Sequence, residues 1–186
     1  MGFLLLENSA KYPIKAKSSV EACVVCGAYK VSSIKKQNKK GTQDIVSFTV
    51  RPSRGRLPNV FKQALTQCGY CSKDSEFTQI SALGCNGKIT NTDKAVSLCL
   101  PRVKQAVESV SPMLVVVHGE TALQAWFQGR ANIGAFSTYR GTVIPDIENN
   151  TWVCPIYDGQ YINAQRQEDS VLTCYVKDVD RIVALM

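Results

Sequence analysis

SPMLVVVHGETALQAWFQG, residues 111–129, sets an unbroken apolar run directly against a turn and then a helical pattern. A run of β-branched residues with no polar alternation reads as a strand buried on both faces, as strands of parallel sheets are. His118 and Gly119 end the strand, and ETALQAWFQG reads as the helix that follows, closed by Gly129. A buried strand feeding a covering helix is the unit from which α/β sandwiches are built.

The same alternation extends outward in both directions. DIVSFTV (44–50) is a strand by its β-branched and aromatic content, and the basic turn RPSRGRLP (51–58) leads to a helix, NVFKQALTQCG (59–69). The apolar face of that helix is Val60, Phe61, Leu65 and Ala64. SEFTQISALG (75–84) gives a second strand ending at Cys85. Thr92 before Asp93 starts a helix running to about Val110, with Val96, Leu100, Val103, Val107 and Val110 along one face and a kink or a late start expected at Pro101. Downstream of the opening stretch, GTVIP (141–145), TWVCPIY (151–157) and a closing helix over 169–186 complete the chain. The expected fold class is therefore α/β, a three-layer sandwich around a central, mostly parallel sheet. The expectation is a single domain over 1–186, with 18–110 and 154–186 flanking or completing the core and an exposed basic loop over 32–43.

The chain has 186 residues and a net charge of +7, and the charge is uneven. Residues 1–62 hold 12 Lys and Arg against Glu7, Glu21 and Asp44, a net +9, while the remainder holds 10 basic and 12 acidic residues, a net −2. Such asymmetry is the footprint of a face that meets phosphates. Lys35, Lys36, Lys39 and Lys40 in SIKKQNKKGTQ, with Arg51, Arg54 and Arg56 in the turn after the first strand, form the cationic strip. A merely solvated lysine loop is the plainer alternative. The start, MGFLLLENSAKY, has an apolar run of four and no basic flank, so no signal peptide and no membrane span are expected. Expected localisation is cytoplasmic, or the host-cell cytoplasm for a viral protein.

Eight cysteines without a secretion signal favour metal ligation over a disulfide framework. Two CxxC pairs, Cys23/Cys26 and Cys68/Cys71, suit a four-thiolate zinc site, and thiolates serve iron–sulfur clusters equally well. Spacing leaves the two open. Cys154 and Cys174 read as small core residues.

Five strings in one order, together with the CVVC pair before them, resemble the iron–sulfur uracil-DNA glycosylases, the family 4-like branch that includes glycosylase-like domains of phage proteins. CVVC (23–26) is followed by CNGKITNTDKAVSLCLP (85–101), which is similar to the family's cysteine, polar loop, helix, cysteine and proline. The 111–129 stretch resembles its proline, apolar strand and alanine-rich helix. IGAFSTYRG (133–141) resembles its isoleucine-glycine to arginine-glycine turn. CPIYDGQYI (154–162) stands where the family has its tyrosine-histidine-proline motif, and VKDVDRIVALM (176–186) resembles its last helix. The resemblance implies a uracil-DNA glycosylase-like fold and a 4Fe–4S cluster on Cys23, Cys26, Cys85 and Cys99, with zinc the alternative cofactor. Cys68 and Cys71 are then left as helix-end or loop residues.

Against that family pattern the catalytic positions are altered. No acidic or amide loop follows the first strand, because RPSRGRLP stands there. The uracil-reading asparagine falls at Ser81, whose reach is too short for paired amide contacts, and the charge-stabilising histidine falls at Asp158. His118 and Glu120, with Asp158, are the candidates left for any residual chemistry, and a strand-end histidine more often serves structure. Arg140, in the retained arginine-glycine turn, is a candidate phosphate contact with a surface salt bridge as its alternative, and Gly141 permits close backbone approach. The expectation is a glycosylase-like accessory factor that has lost uracil excision and binds nucleic acid, DNA in particular, or a replication, repair or transcription protein, in phage or mobile-element DNA metabolism. The alternatives are an active glycosylase with altered base specificity and a zinc-bound interaction module or inhibitor.

Overall fold

The computed structural model describes residues 45–52, 57–70, 77–84, 92–128, 130, 133–165 and 167–186. Five strands form one sheet: β1 (Ile45–Thr49), β2 (Phe77–Ser81), β3 (Leu114–His118), β4 (Ile144–Asp146) and β5 (Thr151–Ile156), in the order β2-β1-β3-β5-β4. The pairs β1·β2, β1·β3 and β3·β5 are parallel, and the short β4 closes one edge antiparallel to β5. The mostly parallel α/β sheet expected from the sequence is therefore present. Six helices accompany it among the described residues: α1 (Asn59–Gln67), α2 (Thr92–Val110), α3 (Glu120–Trp126), α4 (Phe136–Tyr139), α5 (Gly159–Ala164) and α6 (Asp169–Val183).

Alternation along the strands divides the core into two. Val46, Phe48, Ile80, Val115, Val117 and Val153 face α2 and α3, while Ile45, Phe77, Leu114, Val116, Cys154 and Ile156 face α1, α5 and α6. Helices thus cover both faces of the sheet, and every residue of β3 is buried, which is why its sequence lacks a polar alternation. Phe48 meets Trp126 edge-on at 5.0 Å on one face, and Phe61 meets Phe77 at 5.7 Å on the other. Burying each such ring contributes about 1.5–3 kcal/mol. Among the described residues no helix is long and apolar enough to cross a membrane.

Several sequence expectations need correction. β2 ends at Ser81, not at Cys85, because Ala82 and Leu83 turn their amides to the carbonyls of Thr49 and Val50 beyond the end of β1. α2 starts at Thr92 as expected, so Pro101 does not delay it. The carbonyl that Pro101 leaves without its helical donor is that of Ser97, and both residues are exposed, so water can serve it. On the same helix Leu100 and Val110 are only half-buried, while Ala95, Ala106 and Arg102 occupy buried positions. In α1 the buried residues are Phe61, Ala64 and Leu65, with Val60 only partly covered. The short helices α4 and α5 lie in stretches read as turn and motif.

At the β4 edge, Asp146 is buried and accepts from Trp126 Nε1 at 2.8 Å, Arg130 Nη1 at 2.6 Å and Asn149 Nδ2 at 2.8 Å. Burial alone would raise its pKa; donation from Arg130, Asn149 and Trp126 more than offsets this and holds the carboxylate below its usual range. A depressed folded pKa means that the added stability is complete above the unfolded carboxylate range and is lost as pH falls through the folded value. Asp146→Ala is expected to cost about 2–3 kcal/mol in denaturant unfolding at neutral pH. The loss stays below that of a fully buried pair because Arg130 also reaches Glu148 at 3.7 Å. An unchanged unfolding midpoint would show the network to be idle.

Candidate nucleic-acid interface at the carboxyl end of the sheet

From β1 the chain moves to β2 on one side and then across to β3 on the other. The connections leaving β1 and β3 diverge there, and in open parallel sheets ligands bind at the carboxyl ends of the strands at such a point. Four strand ends deliver residues to this rim: Arg51 after β1, Ser81 at the end of β2, His118-Gly119-Glu120 after β3, and Tyr157-Asp158 after β5.

His118 is the last residue of the central strand and only 3% exposed. Its Nε2 shares a 3.0 Å hydrogen bond with Ser47 Oγ, and its ring meets Phe61 of α1 edge-on at 5.0 Å. Nδ1 has no hydrogen-bond partner among the described residues. Burial with no compensating anion pushes its pKa down to about 3, so the ring is neutral at physiological pH. The group is built into the core between strand and helix.

Asp158 is the N-cap of α5, where its Oδ1 accepts from the backbone N–H of Gln160 at 2.7 Å and of Tyr161 at 2.8 Å. Gly119, at φ +90°, lets the turn after β3 come close to this cap: a Cβ there would lie 3.0 Å from both Cβ and Oδ2 of Asp158. Ser81 donates to the Leu83 carbonyl at 2.7 Å. Glu120 is exposed on the first turn of α3. His118, Gly119 and Asp158 are therefore brought together, but the hydroxyl of Ser81 and one oxygen of Asp158 serve their own backbone.

Beside this cap three aromatic rings form a continuous row. Phe136 lies 5.7 Å from Tyr157, and Tyr157 stacks on Tyr161 at 4.6 Å with 26° between the planes. The Arg140 guanidinium sits 5.1 Å from the Tyr157 ring centre and is ion-paired to the buried Asp178. Arg181 adds a hydrogen bond to the Gly141 carbonyl at 2.9 Å. Gly141, at φ +68°, has no room for a Cβ against Asp178, so the arginine-glycine turn seats on α6 through this carboxylate. For Arg140 the alternative reading, a salt bridge, is the arrangement found, and it is largely inside rather than on the surface.

Of the cysteines in the expected cluster, Cys99 is half-buried on α2 and packs at the margin of the core, while Cys23, Cys26 and Cys85 lie outside the described residues. Among the described residues no three His, Cys, Asp or Glu side chains converge as a metal site. One contact bears on whether a shared site fits. Arg102, one turn beyond Cys99 on α2, donates to the Ser81 carbonyl, and a Cβ on Gly84 would lie 3.3 Å from its Nε. The residue preceding Cys85 thus lies beside a side chain of the helix that carries Cys99. Cys154 is buried, and burial pushes its thiol up to about 12; burial, then Asp180, also raises that of Cys68. Cys174 is half-buried, less enclosed than a core cysteine was expected to be.

Lys35, Lys36, Lys39, Lys40, Arg54 and Arg56 also fall outside the described residues, whereas Arg51 is exposed at the rim. Sequence reasoning missed Ser47, Arg102 and the Tyr157–Tyr161 stack. The stack had a signal, since an aspartate opening a short helix at Asp158 puts residue 161 in the first turn above Tyr157. No protein-family model matches the chain, and no curated protein matches it either.

Proposed function

We propose that this chain is an iron–sulfur nucleic-acid-binding accessory protein on a uracil-DNA glycosylase-like scaffold, one that no longer excises uracil by that family's mechanism. The observation that carries the reading is the state of two positions, Ser81 and Asp158, where the resemblance puts the base reader and the charge stabiliser. The Ser81 hydroxyl is turned onto Leu83, and Asp158 caps its own helix with an anionic group where developing negative charge would need a donor. His118, neutral and enclosed, is no substitute at this site.

Binding is supported by charge. The net +9 of residues 1–62 includes Arg51, Arg54 and Arg56, and Arg51 stands exposed where β1 opens onto the rim. Cys23, Cys26, Cys85 and Cys99 would hold a 4Fe–4S cluster that ties the start of the chain to α2. When bound, the group supplies a structural cross-link of four thiolates to one inorganic core.

A salt-dependent DNA titration of the full chain tests the binding. Changing Arg51, Arg54 and Arg56 to alanine is expected to weaken affinity and to lower the slope of log K against log salt by about 2–3. Equal affinity and equal slope would remove this turn from the interface. Release of a free base from uracil- or hypoxanthine-containing oligonucleotides would overturn the loss of chemistry and favour a glycosylase of altered specificity.

A further inference from the structure

We infer that the exposed tyrosine at the end of the aromatic row, Tyr161, is a stacking platform for an unpaired base, so that the chain prefers single-stranded nucleic acid. The inference rests on the nucleic-acid reading above and deepens it.

Tyr161 is 41% exposed although one side of its ring is already stacked on Tyr157. The ring beneath it is held in turn, with Phe136 on one flank and the Arg140 guanidinium 5.1 Å from its centre. Arg140 is itself fixed by Asp178, and the α5 backbone that carries Tyr161 is fixed by the Asp158 cap. A base that settles on Tyr161 therefore extends a stack whose lower members are positioned in advance, and little side-chain freedom is lost on binding.

Charge and place select the class of partner. β1 and β5 flank β3, so Arg51 follows a strand about 10 Å across the sheet from the strand that delivers Tyr157. A cation and an aromatic ring spaced along one rim suit a chain that alternates phosphates with planar bases. In a duplex the base faces are covered by neighbouring pairs, whereas an unpaired strand offers them. Stacking of this kind tolerates any base, so the preference is for strand state and not for sequence.

The test uses the full chain with three probes, a single-stranded oligonucleotide, the same length carrying abasic residues, and the matching duplex, each titrated over a range of salt. Tyr161→Ala is expected to weaken single-strand binding by about five- to hundredfold with an unchanged salt slope, and Tyr161→Phe to retain it. The abasic strand should bind the wild type as weakly as the intact strand binds Tyr161→Ala. Equal single-strand affinities for wild type and Tyr161→Ala, or full affinity for the abasic strand, would overturn the platform while leaving the nucleic-acid reading in place. A wild type that binds none of the three probes would remove that reading itself.

Discussion

Cys99→Ser is expected to yield a chain that no longer retains iron, whereas a chain with both Cys68 and Cys71 changed to serine should keep it. The wild type prepared without oxygen should be brown and contain iron with an equivalent amount of acid-labile sulfide. The contrast separates two readings that the spacing of the eight cysteines leaves open. If two CxxC pairs bound zinc, Cys68 and Cys71 would be ligands and Cys99 a bystander. A colourless protein with one equivalent of zinc, lost on changing Cys68 and Cys71, would overturn the cluster and the kinship drawn from it. The Cys68 thiol lies 3.7 Å from the Val176 carbonyl, with its pKa raised by burial and then by Asp180, while α2 places Cys99 one turn before Arg102, which donates to the Ser81 carbonyl.

The sheet was legible because its strands obey simple rules. β3 is an apolar run with no alternation, and it is the central strand covered on both faces; β1 and β2 carry mixed patterns closer to the edge. The start of α2 was legible because a hydroxyl and a carboxylate in sequence satisfy free amides. What escaped depends on long-range contact. Arg102 reads as a surface cation on a helix, yet it is buried because the Ser81 carbonyl and the glycine at 84 make a seat for it. Arg140 reads as a phosphate ligand until Asp178, thirty-eight positions later, is brought beneath it by α6. The periodicity of either segment contains no trace of the other, so neither pairing can be read from one helix alone. Asp158 is an intermediate case: its cap is local and was readable, but its approach to Gly119 requires β3 and β5 to be neighbours.

The acid limb of the stability curve should belong in large part to His118. Its folded pKa is pushed down to about 3 by burial, whereas an unfolded histidine titrates near ~6.5. Below the unfolded value the denatured chain binds a proton that the native chain refuses, so stability present at neutral pH is lost as pH falls between the two values. Each pH unit in that window costs about 1.4 kcal/mol, which gives about 2 kcal/mol by pH 5 and on the order of 5 kcal/mol by pH 3. His118→Gln keeps an amide within reach of the Ser47 hydroxyl but cannot titrate, and its unfolding free energy should fall less steeply over this range. The comparison removes Asp146 from the account, because its own acid sensitivity is common to both proteins. Should the variant prove too unstable to compare, His118→Phe extends the apolar packing against Phe61 and carries the same expectation. Parallel curves for wild type and variants between pH 6 and pH 4 would show that the ring can be protonated without unfolding, and would return His118 to the set of groups able to exchange a proton at the rim. A flattened limb, together with undiminished nucleic-acid binding at neutral pH, would fix His118 as a post between β3 and α1 whose neutrality the fold requires.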